Sequence, residues 1–435
     1  MNTFWIINLL NLFFLSTYVI YTLFSSSSSS SEHVNLNDVD YGDSPEIIES
    51  RGFNCETHKI VTSDGYILTM FRIVNPLIFS NLNDTDKLTS GKPVLLQSGL
   101  FGSSDDFIIN SPDGYIDQSF LKFRQSYQSV DYKKSGRNLG FLLANLGYDV
   151  WLTNFRGNYY SRNHTTFDPN SSEFWSTGYD EMATIDLPMT IDYILAKTKK
   201  ENVGYVGMSR GSAIMFALLS EKTEYSKKVK PFIAMAPAVY VKRKSRSYLR
   251  TFFELSYLSS YLLSNPSECF GRGFAKSILT ICSYPMVDVL CLMARQPFRL
   301  MSSNQVNSSR VAIYFTHYPA GSPCWDIIHF NQVGSSNQFR KLDFGPTKNA
   351  VKYGQPEPPI YQLEKINSHH IFIISSTGDT VIHHDNVVRL VEHLKVKPKE
   401  WILVNGTDFN HSHFIHSIDA GVKIYKEIAR ILSEY

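Results

Sequence analysis

The feature that most limits what this chain can fold into is the pentapeptide Gly207-Met208-Ser209-Arg210-Gly211. It stands between a strand-like apolar run, VGYVG, and a helix-like one, SAIMFALL. A G-x-S-x-G turn in that setting is a strand-to-helix elbow that strains its serine and lifts the hydroxyl above the edge of a sheet. The glycines stand where the turn brings backbones too close for a Cβ. The plainer alternative is a tight βα turn with an ordinary serine, so the surrounding pattern has to decide.

That pattern alternates. Lys92 onward reads KPVLLQSGL, a buried strand opening into a loop, and Asn138–Asn158 reads as helix, Gly147 stop, strand and polar loop. Glu181–Thr198 carries apolar residues at helical spacing. Pro231–Pro237, Ile371–Ser375 and Trp401–Val404 read as strands, and Asn386–Leu394 as a helix. Strands alternating with helices predict an α/β fold with a mostly parallel central sheet covered on both faces. Between residues 239 and 347 the rhythm breaks into an aromatic, Leu- and Met-rich stretch, which we take as a mainly helical cap inserted into the core. The core itself is then split into residues 44–238 and 348–435.

A serine hydroxyl becomes a useful nucleophile when a histidine takes its proton and an acid fixes that histidine's tautomer. Asp379 follows the strand IFIISS, and His411 follows the strand WILV, so both are expected on the rim that carries Ser209. Asp385 is the competing acid. Acyl transfer also needs donors aimed at a developing oxyanion. The backbone N–H of Arg210, just after the serine, is one candidate, and Leu100 in the Gly-rich loop Gln97–Gly102 offers the second. The run HSHFIH (His411, His413, His416) could be taken for a metal cluster, but no carboxylate or cysteine completes a ligand set. We expect neither metal nor organic cofactor, and assign His369-His370 and His383-His384 to surface or core.

Phe4–Phe24 is uncharged and apolar and runs into seven serines, which fits a secretory signal peptide over residues 1–24 or, at 21 residues, a retained signal-anchor. Residues 25–43 read as a Ser-rich flexible linker. Of five cysteines, Cys282 and Cys291 share one local segment and form the preferred disulfide. Sequons at Asn83, Asn163, Asn170, Asn307 and Asn405, with a further one at Asn410, agree with export to the outside or to lysosomes. The net charge of +2, without a clustered basic field, excludes a nucleic-acid footprint. No obligate protein partner is evident.

Taken together, these segments resemble the acid lipases of the gastric and lysosomal type, a family of α/β-hydrolases. The resemblance rests on GYILTMFRI, PVLLQSGLFGSS, NLGFLLANLGYDVWLTNFRGN, EFWSTGYDEMATIDLPMTIDYI, VGYVGMSRGS, NSSRVAIYFTHYPAGSPCWDIIHFNQ and NHSHFIHSIDA, and runs from about Ser44 to Tyr435. It implies an α/β-hydrolase fold with a helical cap and lid, and Ser209 as nucleophile with Asp379 and His411 as partners. Leu100 and Arg210 become oxyanion donors. The implied substrates are neutral lipid esters, triacylglycerol or cholesteryl ester, met at a lipid–water interface. The chain departs from the family at several positions: Ser98 replaces the usual His of His-Gly-Leu, Met208 and Arg210 replace His and Gln in the elbow, and His413 replaces an Asp. These changes leave the backbone machinery intact and bear on substrate preference and rate. The rival classes are a non-catalytic lipid carrier on the same scaffold and a peptidase or thioesterase.

Overall fold

The computed structural model describes residues 38–79, 91–117, 127–134, 136–241, 266–272 and 305–435. In chain order its strands are β1 (Asn54–Val61), β2 (Ile67–Val74), β3 (Pro93–Gln97), β4 (Asp149–Thr153), β5 (Val203–Met208), β6 (Val229–Met235), β7 (Glu268–Cys269), β8 (Ser322–Pro323), β9 (Ile371–Ser376) and β10 (Glu400–Val404). Eight of them build one sheet in the order β1-β2-β4-β3-β5-β6-β9-β10, and β7 pairs with β8 as a separate ribbon. From β4 to β10 every pairing is parallel, while β1–β2 and β2–β4 are antiparallel.

The central strands β3, β4, β5, β6 and β9 are buried on both faces, and their residues show why. Side chains alternate across a strand, so Val94 and Leu96 join one core cluster while Leu95 joins the other. The same split separates Val150 and Leu152 from Trp151, and Phe372 and Ile374 from Ile371 and Ile373. Helices α1 (Leu139–Asn145) and, at the C-terminus, Lys426–Ser433 pack on the first face. The second face is covered by α2 (Leu187–Thr198), α3 (Arg210–Glu221) and α4 (His384–His393). Strands that are apolar on both sides read as unbroken apolar runs, which is why they were visible in the sequence.

The antiparallel β1–β2 hairpin was not. β1 is NCETHKIV, largely exposed or half-buried, and its polar residues hide the strand period. Arg156, in the loop after β4, anchors this hairpin. Its fully buried guanidinium donates to Asp186 (2.9 Å from Nε), to Asp64 in the hairpin turn (2.6 Å) and to Thr177 (3.0 Å), and lies 4.1 Å from the centre of the Tyr66 ring.

A second buried network joins the chain's early residues to the segment after 266. Asp40 accepts from Arg51 (2.6 Å) and Arg310 (2.7 Å), Arg272 reaches Asp43 (2.7 Å), and His317 meets Asp105 (2.8 Å). Of the linker expected over 25–43, residues 25–37 lie outside the described residues. Residues 39–41 form a 3-10 turn and Asp40 is fully buried, because two arginines hold it there. Phe4–Phe24, Asn83, and Cys282 with Cys291 lie outside the described residues. Among those described, no helix is long and apolar enough to cross a membrane.

The described disulfide joins Cys269 of β7 to Cys324, the first residue of α5 (Cys324–Ser336), across a sequence separation of 55. Cys55 is free and half-buried, and burial pushes its thiol up to about 12, so it is unreactive. Loop-closure entropy for a crosslink of that span is about 4 kcal/mol. Replacing Cys269 and Cys324 by serine should therefore lower unfolding stability by about 2–4 kcal/mol in denaturant titrations. An unchanged midpoint would show that the crosslink contributes nothing to the fold.

Candidate active site

The elbow forms where β5 ends and α3 begins. Ser209 sits between them with φ 53° and ψ −112°, a left-handed conformation that L-residues avoid. Two glycines make it reachable. A Cβ on Gly211 would stand 2.7 Å from the carbonyl oxygens of both Gln97 and Ser98, and one on Gly207 would stand 2.8 Å from the Ser212 nitrogen. The strained residue is pinned on both sides: Ser209 N–H donates to Met235 O (2.8 Å), and Ser209 O accepts from Ala238 N–H (3.2 Å). Strain of this kind, of order 1–3 kcal/mol, persists where the surroundings over-determine it.

The other expected residues converge on this serine. His411 Nε2 lies 2.9 Å from Ser209 Oγ, and His411 Nδ1 lies 2.7 Å from Asp379 Oδ2. A carboxylate accepts only, so Nδ1 carries the proton toward Asp379 and Nε2 is left to accept from the serine. Asp379 is itself fixed: its Oδ1 accepts from the N–H groups of Val381 and Ile382, each at 2.8 Å. Asp385, the competing acid, lies in the first turn of α4, and it is Asp379 that meets the histidine. The remaining histidines of HSHFIH part company. His413 Nδ1 accepts from Asn410 N–H (2.8 Å), and His416 is buried with its ring 4.4 Å from that of Tyr314.

Asn410 is a functional-site residue that sequence reasoning missed, having noticed it only as a sequon. Its Oδ1 accepts from the backbone N–H of His411 (2.7 Å), from Thr380 N–H (3.2 Å) and from Thr380 Oγ1 (3.0 Å). It thereby ties the loop bearing the histidine to the loop bearing the acid. Ser376 adds a second tie, donating its hydroxyl to Phe409 O at 2.6 Å. Neither contact leaves a mark in the sequence, since both depend on segments far apart in the chain meeting in space. Of the sequons, Asn163, Asn170 and Asn405 are exposed, and Asn307 is half-buried.

The Gln97–Gly102 loop stands beside the elbow, with the Cβ position of Gly99 3.3 Å from Ser209 Cβ. Just beyond it two buried carboxyls sit side by side. Burial would raise Asp105, but His317 and Arg272 hold it down at about 2. Burial, and then the charge of Asp105, push Asp106 up to about 8. Neighbouring carboxyls in different surroundings are thus driven to opposite protonation states at neutral pH.

Sequence profiles place the chain among known proteins. One described as a partial α/β-hydrolase lipase region matches residues 44–111, and one described as the α/β-hydrolase fold matches residues 92–276. Gastric triacylglycerol lipase of Bos taurus is 33% identical, with 89% of this chain and 90% of that one aligned. Lipase member M of Homo sapiens is 30% identical, over 89% of this chain and 85% of that one. A solved protein from Sulfolobus solfataricus shares the fold at 13% identity, with a TM-score of 0.50 over 87% of this chain and 99% of that one.

Asp106 gives this site a pH signature. Its folded value near 8 lies above the ordinary 3.8, so its contribution to stability is complete below about pH 4 and is lost as pH rises toward 8. An Asp106→Asn variant, neutral throughout, escapes that loss. Its melting temperature relative to the parent should therefore improve steadily from about pH 5 to 8. A difference that stays flat over that range would show that Asp106 is ionised in the folded protein.

Proposed function

The chain belongs to the acid lipase family of α/β-hydrolases and is a carboxylic ester hydrolase; on that premise we propose that Ser209 is its nucleophile. The observation that carries this is the unbroken hydrogen-bonded line Ser209–His411–Asp379, at 2.9 and 2.7 Å, with the serine held in a strained elbow.

In the proposed cycle His411 Nε2 removes the Ser209 proton as Oγ attacks the ester carbonyl. Asp379 accepts from Nδ1 and stabilises the imidazolium that forms. The backbone N–H groups of Leu100 and Arg210 hold the oxyanion of the tetrahedral intermediate. The intermediate then collapses, and His411 returns its proton to the departing alcohol. Water, deprotonated by the same histidine, attacks the acyl-enzyme; the acyl group leaves as a fatty acid and Ser209 regains its proton. Apart from the substrate and the attacking water, every group in the proposed cycle belongs to the chain, and no step calls on a metal or organic cofactor.

Triacylglycerol is the substrate we favour, because the gastric lipases that align over nine-tenths of the chain bear that name. Cholesteryl ester remains the second candidate from the sequence. Residues 239–347 would form the cap, with its apolar and aromatic residues meeting the acyl chains and the lipid surface. Export, to the outside or to lysosomes, is supported by the Cys269–Cys324 disulfide and by the exposed sequons at Asn163, Asn170 and Asn405. The rival reading, a non-catalytic carrier, gains no observation.

The test is fatty-acid release from emulsified long-chain triacylglycerol and from cholesteryl ester, across acidic to neutral pH. Ser209→Ala should abolish it by about 10³-fold or more, and Asp379→Asn should cost a loss of similar order. Activity surviving in folded Ser209→Ala would remove the serine from the mechanism. Turnover of the sterol ester alone would overturn the choice of triacylglycerol.

A further inference from the structure

In most elbows the residue after the nucleophile contributes only its backbone. Here it is an arginine, and its side chain is 98% buried. Its guanidinium does not reach solvent or the serine hydroxyl. Nη1 donates to Ser322 Oγ (2.9 Å) and pairs with the Asp326 carboxylate, which itself accepts from Ser322 Oγ at 2.6 Å. The other arm, Nη2, donates to the carbonyl oxygen of Gly99 at 3.2 Å. Phe155 lies beneath the guanidinium, its ring centre 5.5 Å from Cζ.

The Gly99 contact has a consequence set by covalent geometry. Gly99 C=O and Leu100 N–H belong to one planar trans peptide group, so they point in opposite directions and turn together. A donor that holds the carbonyl on one side therefore aims the Leu100 N–H to the other. The next two carbonyls of the loop are held as well: Leu100 O accepts from Tyr318 Oη (3.1 Å) and Phe101 O from Ala320 N–H (2.8 Å). Three successive carbonyls are thus gripped, the first by the Arg210 side chain together with Gly102 N–H (3.2 Å) and the others by residues 318 and 320.

We propose that Arg210 is the positioning residue of the oxyanion hole, supplying one donor through its own backbone and orienting the other by holding the Gly99–Leu100 peptide with a guanidinium anchored on Asp326. This rests on the reading of Leu100 and Arg210 as oxyanion donors. It adds that the donor geometry is set by a side chain, and that its anchor lies in residues 322–326, outside the two core segments. The fork matters, because a single cationic point could not hold Gly99 O on one arm and Asp326 on the other.

A buried ion pair could also be structural only, so the test separates the two roles. Arg210→Met alone strands the Asp326 charge. Arg210→Met/Asp326→Leu removes both charges, and apolar replacement of a whole buried pair is commonly neutral or stabilising. With a soluble short-chain p-nitrophenyl ester, the folded double variant should show kcat about 10²-fold lower and KM within about twofold, as for loss of one oxyanion donor. Its rate of labelling by a fluorophosphonate should fall in parallel. Asp326→Asn keeps the shape but releases the anchoring charge, and should lose about 3–10-fold in kcat by the same logic. If the double variant fails to fold, Asp326→Asn decides. A folded variant of either kind with parental kcat overturns the proposal, whereas activity in Ser209→Ala overturns the underlying mechanism instead.

Discussion

The site depends on one steric contact, the seating of Gly211 against the carbonyls of Gln97 and Ser98. At that separation any Cβ would collide with backbone oxygen, so the start of α3 can press directly onto the end of β3. The contact exists because β3 and β5 are neighbours in the sheet although α1, β4 and α2 lie between them in the chain. It brings the strained serine and the Gly99–Leu100 peptide into one place. The remaining partners arrive by the same logic, since Asp379 and His411 follow β9 and β10, which continue the parallel sheet beyond β6. Parallel strands end on one edge, and loops at that edge meet whatever their distance in sequence.

Around this contact the protein buries many charges, and the pairing rules decide where they can sit. Arg156 with Asp64 and Asp186, Asp40 with Arg51 and Arg310, and Arg210 with Asp326 are each closed sets. Desolvating an ion costs several kcal/mol, so a lone member of any set would be strongly destabilising. Asp106 shows the alternative. No cation among the described residues pairs with it, and it sits beside the ionised Asp105, so it keeps its proton instead. The polar interior is therefore specific in position. Each set crosslinks segments far apart in the chain, the hairpin turn to the post-β4 loop in one case and the chain's early residues to residue 310 in another.

These sets also explain what could and could not be recognised from the sequence. The elbow, the strands on either side of it, and the ordered Ser209, Asp379 and His411 were legible. Short apolar runs bounded by Gly or polar loops have few other uses, and chain order places their ends on one rim. The β1–β2 hairpin was missed because one face of β1 is solvated and its residues alternate weakly. Asn410, Ser376 and Asp326 were missed for a different reason. Each acts through a partner in a distant segment, and a single polar residue at the end of an element or in a loop has no periodicity to betray it. The disulfide belongs to this class: Cys269 and Cys324 are 55 residues apart, and only the β7–β8 ribbon brings them together.

The departures from the family pattern take on a different meaning once the geometry is known. Backbone donors are indifferent to the side chain that follows them, so exchanging Gln for Arg after the nucleophile leaves the Arg210 N–H in place. It does, however, introduce a charge into a site that excludes water. A buried guanidinium without a counter-ion would destabilise the elbow by more than the strain at Ser209 itself. The substitution is tolerable only because Asp326 is present, 116 residues away, with Ser322 bridging the pair. Arginine at 210 and the acid at 326 therefore form one unit, although nothing in their spacing connects them. A charge placed beside the nucleophile is thus balanced from the helix Cys324–Ser336. The elbow and the helix that carries Asp326 are consequently coupled by charge.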